Sequence, residues 1–244
     1  MKNTNKRFAF YTILDNKFVP NFLFSLWSLK KFNSLNDIDI LVFSKEEISE
    51  ENKNTIKLIH PYVKFFTKNR KLISHNWAFD YDLKLEVYFI QDYDTVMYFD
   101  ADVLFFNGFE DIVKYRCNFG AVSYGSYFSA TIMLFNKQER SMQNLERFIN
   151  TYNNNKNSEH DQDIFNIMYN DYFKIPYDYN QMFTNFNINT AKCLQFPGKI
   201  KGLDKEMEKL LLSKNSVNAS DCYKSLVHFK KIKKQFLKEV RLNV

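Results

Sequence analysis

Apolar residues along this chain come in short continuous runs that alternate with longer stretches of helical spacing. Residues 8–14 form an apolar run that stops at Asp15-Asn16, the pattern of a buried strand. In residues 18–32 Leu23, Leu26, Trp27 and Lys30 recur three and four apart, which predicts a helix. Residues 38–43 are short and rich in branched side chains, a second strand. Ser44 precedes Glu46 and Glu47, so a charged helix is expected to start there and run to about residue 59. A third strand is expected at Val63–Thr67 and a further helix over residues 77–91, where Leu83, Val87 and Ile90 are spaced for it. Thr95–Phe99 is a fourth apolar strand, and it ends in Asp100-Ala-Asp102. Strands are predicted at 120–124 and 130–135 and a helix at 138–152, with a polar, Asn-rich break at 153–158.

Strands alternating with helices argue for an α/β fold with a mostly parallel central sheet covered on both faces. No internal repeat or linker divides the chain, so residues 1–244 are expected to form one domain. In such sheets ligands bind beyond the carboxyl ends of the strands. Two of those ends carry acids, at Asp15 and at Asp100/Asp102.

Composition narrows the field. At 45% hydrophobic and 25% charged the chain carries enough apolar area for a core, which excludes disorder as its main state. The net charge of +6 suits a phosphate-bearing substrate and falls well short of a nucleic-acid-binding composition. Cys117, Cys193 and Cys222 fit neither a disulfide framework nor a zinc site, so reduced thiols in a cytoplasmic setting are expected. The basic start lacks a small-residue cleavage site, and no apolar stretch reaches the ~18–20 residues that span a bilayer. A soluble protein is expected.

The sharpest chemical signal is Asp100-Ala-Asp102. Two carboxylates that close repel unless a cation lies between them, and oxygen ligands suit Mg²⁺ or Mn²⁺, which complete their shells with substrate phosphates. A solvated acidic turn is the plain alternative. Lys84 is either a phosphate contact or a surface lysine. His228 is either a nitrogen ligand, which would favour Mn²⁺, or a structural residue. Asp161-Gln162 lies at a predicted helix start, where it either reaches a sugar hydroxyl or caps the helix.

In their order along the chain these motifs resemble the family 8 glycosyltransferases, the glycogenin and lipopolysaccharide galactosyltransferase group, over roughly residues 7–236. The opening segment FAFYTILDNKFVPNF is similar to that family's first strand and nucleotide-contacting loop. The resemblance puts Thr12, Leu14, Asp15 and Phe18 around the uracil and ribose of a UDP-sugar. YFDADVLFF is similar to its metal motif, which implies Asp100 and Asp102 as ligands and Ala101 as a nucleotide-sugar contact. Lys84 would occupy the basic position before it. HDQDIFN resembles the family's D-Q-x-I-L-N, implying Asp161 and Gln162 beside the donor sugar. VHFKKIKKQF resembles its closing motif, implying His228 as third ligand and Lys234 as a phosphate contact. Ser129 stands where the family carries an Asn that contacts the sugar, and Lys231 replaces a motif Gly.

The resemblance implies a GT-A fold and a metal-dependent, retaining hexosyltransferase that moves a sugar from a UDP-sugar to a glycan, lipid-linked or protein acceptor. Asp161, Gln162 and Lys84 would be its catalytic residues. No Tyr lies between residues 180 and 221, where glycogenin-type proteins carry their self-glucosylated tyrosine, so self-priming is not expected. Two other readings stand beside this one. The departures at Ser129 and Lys231 suit a non-catalytic binding protein of the same fold. A phosphatase of haloacid dehalogenase type also uses D-x-D, though on its opening strand. Finally, residues 228–244 are basic and amphipathic, with Phe229, Ile232, Phe236 and Val240 on one stripe. They either pack over the donor site or touch an anionic membrane peripherally.

Overall fold

A computed structural model describes residues 8–68, 72–73, 81–155, 158, 160–182, 187, 189–195 and 219–241. A seven-stranded sheet has the order β3-β2-β1-β4-β7-β6-β8, formed by β1 (Phe8–Ile13), β2 (Asp39–Ser44), β3 (Val63–Thr67), β4 (Thr95–Phe99), β6 (Phe119–Ser123), β7 (Phe128–Asn136) and β8 (Phe173–Ile175). The strands β1 to β4 run parallel, and β7 is antiparallel to both β4 and β6. A small second sheet joins β5 (Val103–Phe105), β9 (Gln181–Met182) and β10 (Cys193–Gln195). Strand alternation divides the core. Phe10, Val42, Met97 and Phe99 point to one face, covered by α1 (Val19–Phe32) and α2 (Glu50–Ile59). Ala9, Tyr11, Val96 and Tyr98 point to the other, covered by α3 (Met142–Asn154) and α4 (Asp161–Met168). The expected α/β sheet with both faces covered is therefore present.

The helix expected at 138–152 is α3, Met142–Asn154, the strands β5, β8, β9 and β10 were not expected, and three further differences have a plain physical cause. The helix expected after Ser44 begins at Glu50, with the Ser49 hydroxyl accepting from the Asn52 N–H. Ser44 is buried as the last residue of β2 and is not free to cap. The helix expected over 77–91 is a 3₁₀ segment, Tyr81–Phe89, and residues 77–80 lie outside the described residues. Its Asp82, Leu83, Lys84, Leu85, Glu86 and Val87 are all buried, so no wet face exists for an amphipathic α-helix. The C-terminal helix α5 is longer than the stripe that announced it, running Ala219–Arg241. Phe229, Ile232 and Phe236 are buried against Phe24, Trp27, Leu104 and Leu194, and Val240 packs beside them. The stripe is thus spent on the domain, with Lys230, Lys231, Lys234 and Lys238 exposed around it. No helix among the described residues is long and apolar enough to cross a membrane.

Candidate active site

The strand order reverses between β1 and β4: β2 and β3 lie to one side, β7 and β6 to the other. Chains leaving β1 and β4 therefore diverge, and a crevice opens at their carboxyl ends. Asp100, Ala101 and Asp102 leave β4 at that crevice. Their course is fixed from α1. The buried Ser25 hydroxyl sits between two carbonyls, Ala101 O at 2.9 Å and Val103 O at 2.6 Å, and thereby brackets Asp102. Ser28 adds a second tie by accepting from the Phe105 N–H at 3.0 Å. On the far side, the Asp100 N–H donates to Thr131 O at 3.1 Å.

A bulge in β7 completes the site. Ala121 faces Met133, but the next residue, Val122, faces Ser129, so residues 130–132 leave the β6 ladder while Ile132 still pairs with Phe99. The freed backbone finds side chains instead. Gln162 Oε1 accepts from the Ala130 N–H at 3.1 Å, while at Phe128, which still pairs with Ser123, Asn166 both accepts from the N–H at 2.8 Å and donates to the carbonyl at 3.0 Å. Ala130 O accepts from Lys84 Nζ at 3.3 Å. That ammonium is buried, 2.7 Å from Asp161 Oδ2 and 3.6 Å from Asp100 Oδ1, and lies 4.7 Å from the centre of the Tyr98 ring. Asp161 is the first residue of α4, where the helix end also favours its charge. Tyr98 OH donates to Asp100 Oδ1 at 2.5 Å.

Two of the three acids share the lysine, and Asp102 is left outside the ion pair. Burial first, then the Asp100 carboxylate, push its carboxyl up to about 7, against partial relief from its own N–H and from Lys84. A divalent cation against Asp100 and Asp102 would relieve the charge that burial penalises, and two hard carboxylates are the donor set that Mn²⁺ or Mg²⁺ takes together with phosphates. On that chemistry the residues fit a cation. The third proposed ligand is not gathered with them: among the described residues no group of three His, Cys, Asp or Glu is close enough to hold a metal ion. His228, on α5, is half-buried with its ring 6.3 Å from that of Phe106. Burial and then Lys231 hold its imidazole below its ordinary value, which favours the neutral, ligating form.

Lys84, Asp100, Ser129, Ala130, Asp161 and Gln162 line one cleft of about 260 Å³ with Tyr124, Tyr127, Met182 and Gln195. No family model matches the sequence, and no curated protein matches it either. Solved structures do match in shape. The galactosyltransferase LgtC, solved in complex with donor and acceptor sugar analogs, is 16% identical with a TM-score of 0.66, over 90% of this chain and 95% of LgtC. The glycosyltransferase GlyE of Streptococcus pneumoniae is also 16% identical at a TM-score of 0.66, over 97% of this chain and 64% of GlyE. Mouse xyloside xylosyltransferase 1 is 10% identical at 0.54, over 80% of this chain and 98% of the mouse protein. The chain has the GT-A fold.

Within this GT-A fold the expected site residues divide into two groups. Lys84, Asp100, Ser129, Asp161 and Gln162 come together, with Ala101 and Asp102 on the adjoining turn. Lys84 faces carboxylates rather than open solvent, and Gln162 is occupied by a backbone N–H. The residues expected around the nucleotide have structural duties of their own. Thr12 and Leu14 are buried, and Phe18 packs on the core. Asp15 is exposed and accepts from the Lys17 and Phe18 N–H groups, turning the chain into α1. Lys234 is exposed on α5 and is not in the cleft lining, nor, among the described residues, is any other side chain of α5. The sequence reading missed Ser25, Ser28, Asn166 and the β7 bulge. Asn166 alone carried a signal, four residues after Gln162 on one helix face.

Proposed function

We propose that this chain is a metal-dependent glycosyltransferase domain that moves a hexose from a UDP-sugar to a glycan, lipid-linked or protein acceptor, with retention at the anomeric carbon. The observation that carries it is the pair of half-buried carboxylates, Asp100 and Asp102, set side by side at the crevice where the strand order reverses. The likeness in shape to LgtC, which was solved with donor and acceptor sugar analogs, supports a sugar donor. Asp100 and Asp102 would hold Mn²⁺ or Mg²⁺, with His228 as a third ligand once donor is present. When bound, the ion supplies positive charge to the diphosphate. Ser25 and the β7 bulge hold both carboxylates in place beforehand, the preorganisation on which electrostatic catalysis depends. In the reaction the acceptor hydroxyl oxygen bonds to the anomeric carbon as the bond from that carbon to the diphosphate breaks. The hydroxyl proton passes to a departing phosphate oxygen. Asp161 is a poor covalent nucleophile here, since it is buried and held at 2.7 Å by the Lys84 ammonium. Same-face attack is therefore the route we favour.

The non-catalytic reading draws on one observation, that His228 is not gathered with the acids. The phosphatase reading has little support, because three parallel strands precede the one that carries Asp100. We assign the domain to the cytoplasm, where the free Cys117 and buried Cys193 would stay reduced. With the α5 stripe packed, contact of the described part of α5 with an anionic membrane would rest on its exposed lysines. A screen of UDP- and GDP-hexoses for release of nucleoside diphosphate in Mn²⁺ tests the proposal. Turnover with a UDP-hexose that falls by about 10²-fold in Asp102→Asn is expected. Turnover unaffected by that change would refute the metal assignment, and none with any sugar would leave the non-catalytic reading.

A further inference from the structure

The loop between β6 and β7 has the sequence Tyr124-Gly125-Ser126-Tyr127 and forms one wall of the cleft. The Tyr124 N–H donates to Tyr127 O at 2.8 Å, closing the turn. Gly125 has φ +89°, in the left-handed region that a side chain would strain. That turn brings the two tyrosine rings together, centroids 5.7 Å apart and only 12° from parallel. Tyr124 is pinned: its hydroxyl donates to Asn180 O, and the Tyr177 ring meets it edge-on at 5.2 Å. Tyr127 therefore rests on a fixed ring and yet is 45% exposed. Met182, another lining residue, is also 45% exposed. Polar groups of His160, Gln162 and Gln195 line the same cleft. The loop itself carries no charge.

We propose that Tyr127, backed by Tyr124, is a stacking platform for a pyranose ring of a neutral glycan acceptor. A pyranose has a C–H face and an edge of hydroxyls, and the cleft offers the matching pair of surfaces: an exposed ring with a thioether, and amide and imidazole groups. A rigid tyrosine contributes contact area at little cost in conformational entropy. Position selects the acceptor over the donor nucleotide. The loops after β1 and β2 lie on one side of Asp100–Asp102, and the tyrosine loop lies on the other, beyond β7. A donor in the β1–β4 crevice would present its sugar toward the tyrosines, where an incoming hydroxyl must arrive. This assignment to the acceptor rests on the transferase reading above.

Saturation-transfer NMR on the full chain with diamagnetic Mg²⁺ and UDP tests the platform, using methyl glucoside, methyl galactoside, maltose and cellobiose as probes. At least one probe should receive saturation at the C–H protons of one ring face. Tyr127→Ala should weaken it about 5–10-fold, the worth of one aromatic contact, and Tyr127→Trp should restore it. The affinity for UDP, measured on the same samples, should stay within about twofold. No probe binding, or equal binding by Tyr127→Ala, would overturn the platform. Weakening of UDP as large as that of the sugar would overturn it too, by making Tyr127 a nucleobase contact. If the probes bind through Tyr127 while wild type ignores UDP, the platform stands as a glycan site and the transferase reading falls.

Discussion

Around Asp100 and Asp102 the chain is held by polar groups remote in sequence, whereas α5 reaches the same domain chiefly through rings. Ser25 meets carbonyls 76 and 78 residues away, Lys84 meets Asp161, and α4 takes over the backbone that β7 withdraws from β6. On α5, Phe229 and Phe236 pack against Phe24, and Glu239 ties the helix to Trp27 Nε1 and Lys31 Nζ. Directional bonds fix carboxylates to a fraction of an ångström, which an electrostatic site needs. Ring packing fixes a helix but sets no bond to the cleft. The two-carboxylate half of the proposed metal site is thus assembled in advance, while its histidine rides on a separately attached element.

The largest effect that would sharpen this contrast comes from Lys84→Met. Removing one partner of a buried ion pair leaves Asp161 uncompensated beside Asp100, a loss of about 3–5 kcal/mol. A denaturant titration should show it, and a loss under about 1 kcal/mol would mean that the acids do not depend on the lysine. Next comes Ser25→Ala, which strips a donor from two carbonyls beside Asp102 and should cost about 1–3 kcal/mol. Its Mn²⁺ affinity should fall as well; stability lost with no change in Mn²⁺ affinity would make Ser25 a packing residue only.

The smallest effect belongs to α5. Hydrogen bonding from Lys31, then from Trp27 and Gln235, holds the Glu239 carboxyl below its ordinary value of 4.5. A lowered acid stabilises the fold above its unfolded pKa and loses that contribution as pH falls through the folded one. Glu239→Gln should therefore lower the melting temperature slightly at pH 7 and leave it unchanged near pH 3. An equal loss at both pH values would show that shape, and not charge, anchors the helix.

How far the sequence revealed these regions follows the same divide. Strands β1, β2 and β4 were legible because each is a short, mostly apolar run, and the acids after β1 and β4 pointed to the crevice. The α5 stripe was legible from its spacing. Its start at Ala219 was not, since the stripe that marks the helix begins only at Phe229. Two serines each precede a pair of glutamates near α2, and only the ladder position of Ser44 decides against it as the cap. The 3₁₀ segment was misread as a longer α-helix because Leu83, Val87 and Ile90 keep helical spacing, and what buries Lys84 between them lies far along the chain. Ser25 looks like an ordinary helix serine, for the carbonyls that it meets belong to another element.

The central claim is that Asp100 and Asp102 form a cation site for a nucleotide diphosphate, completed by His228 when donor is present. Calorimetric titration of UDP into the full chain, with and without Mn²⁺, tests it most directly. Binding should require Mn²⁺ and weaken by about 10-fold or more in Asp102→Asn. His228→Ala should weaken it too, with the melting temperature of the metal-free protein nearly unchanged. UDP bound equally well without Mn²⁺, or by Asp102→Asn, would contradict the account.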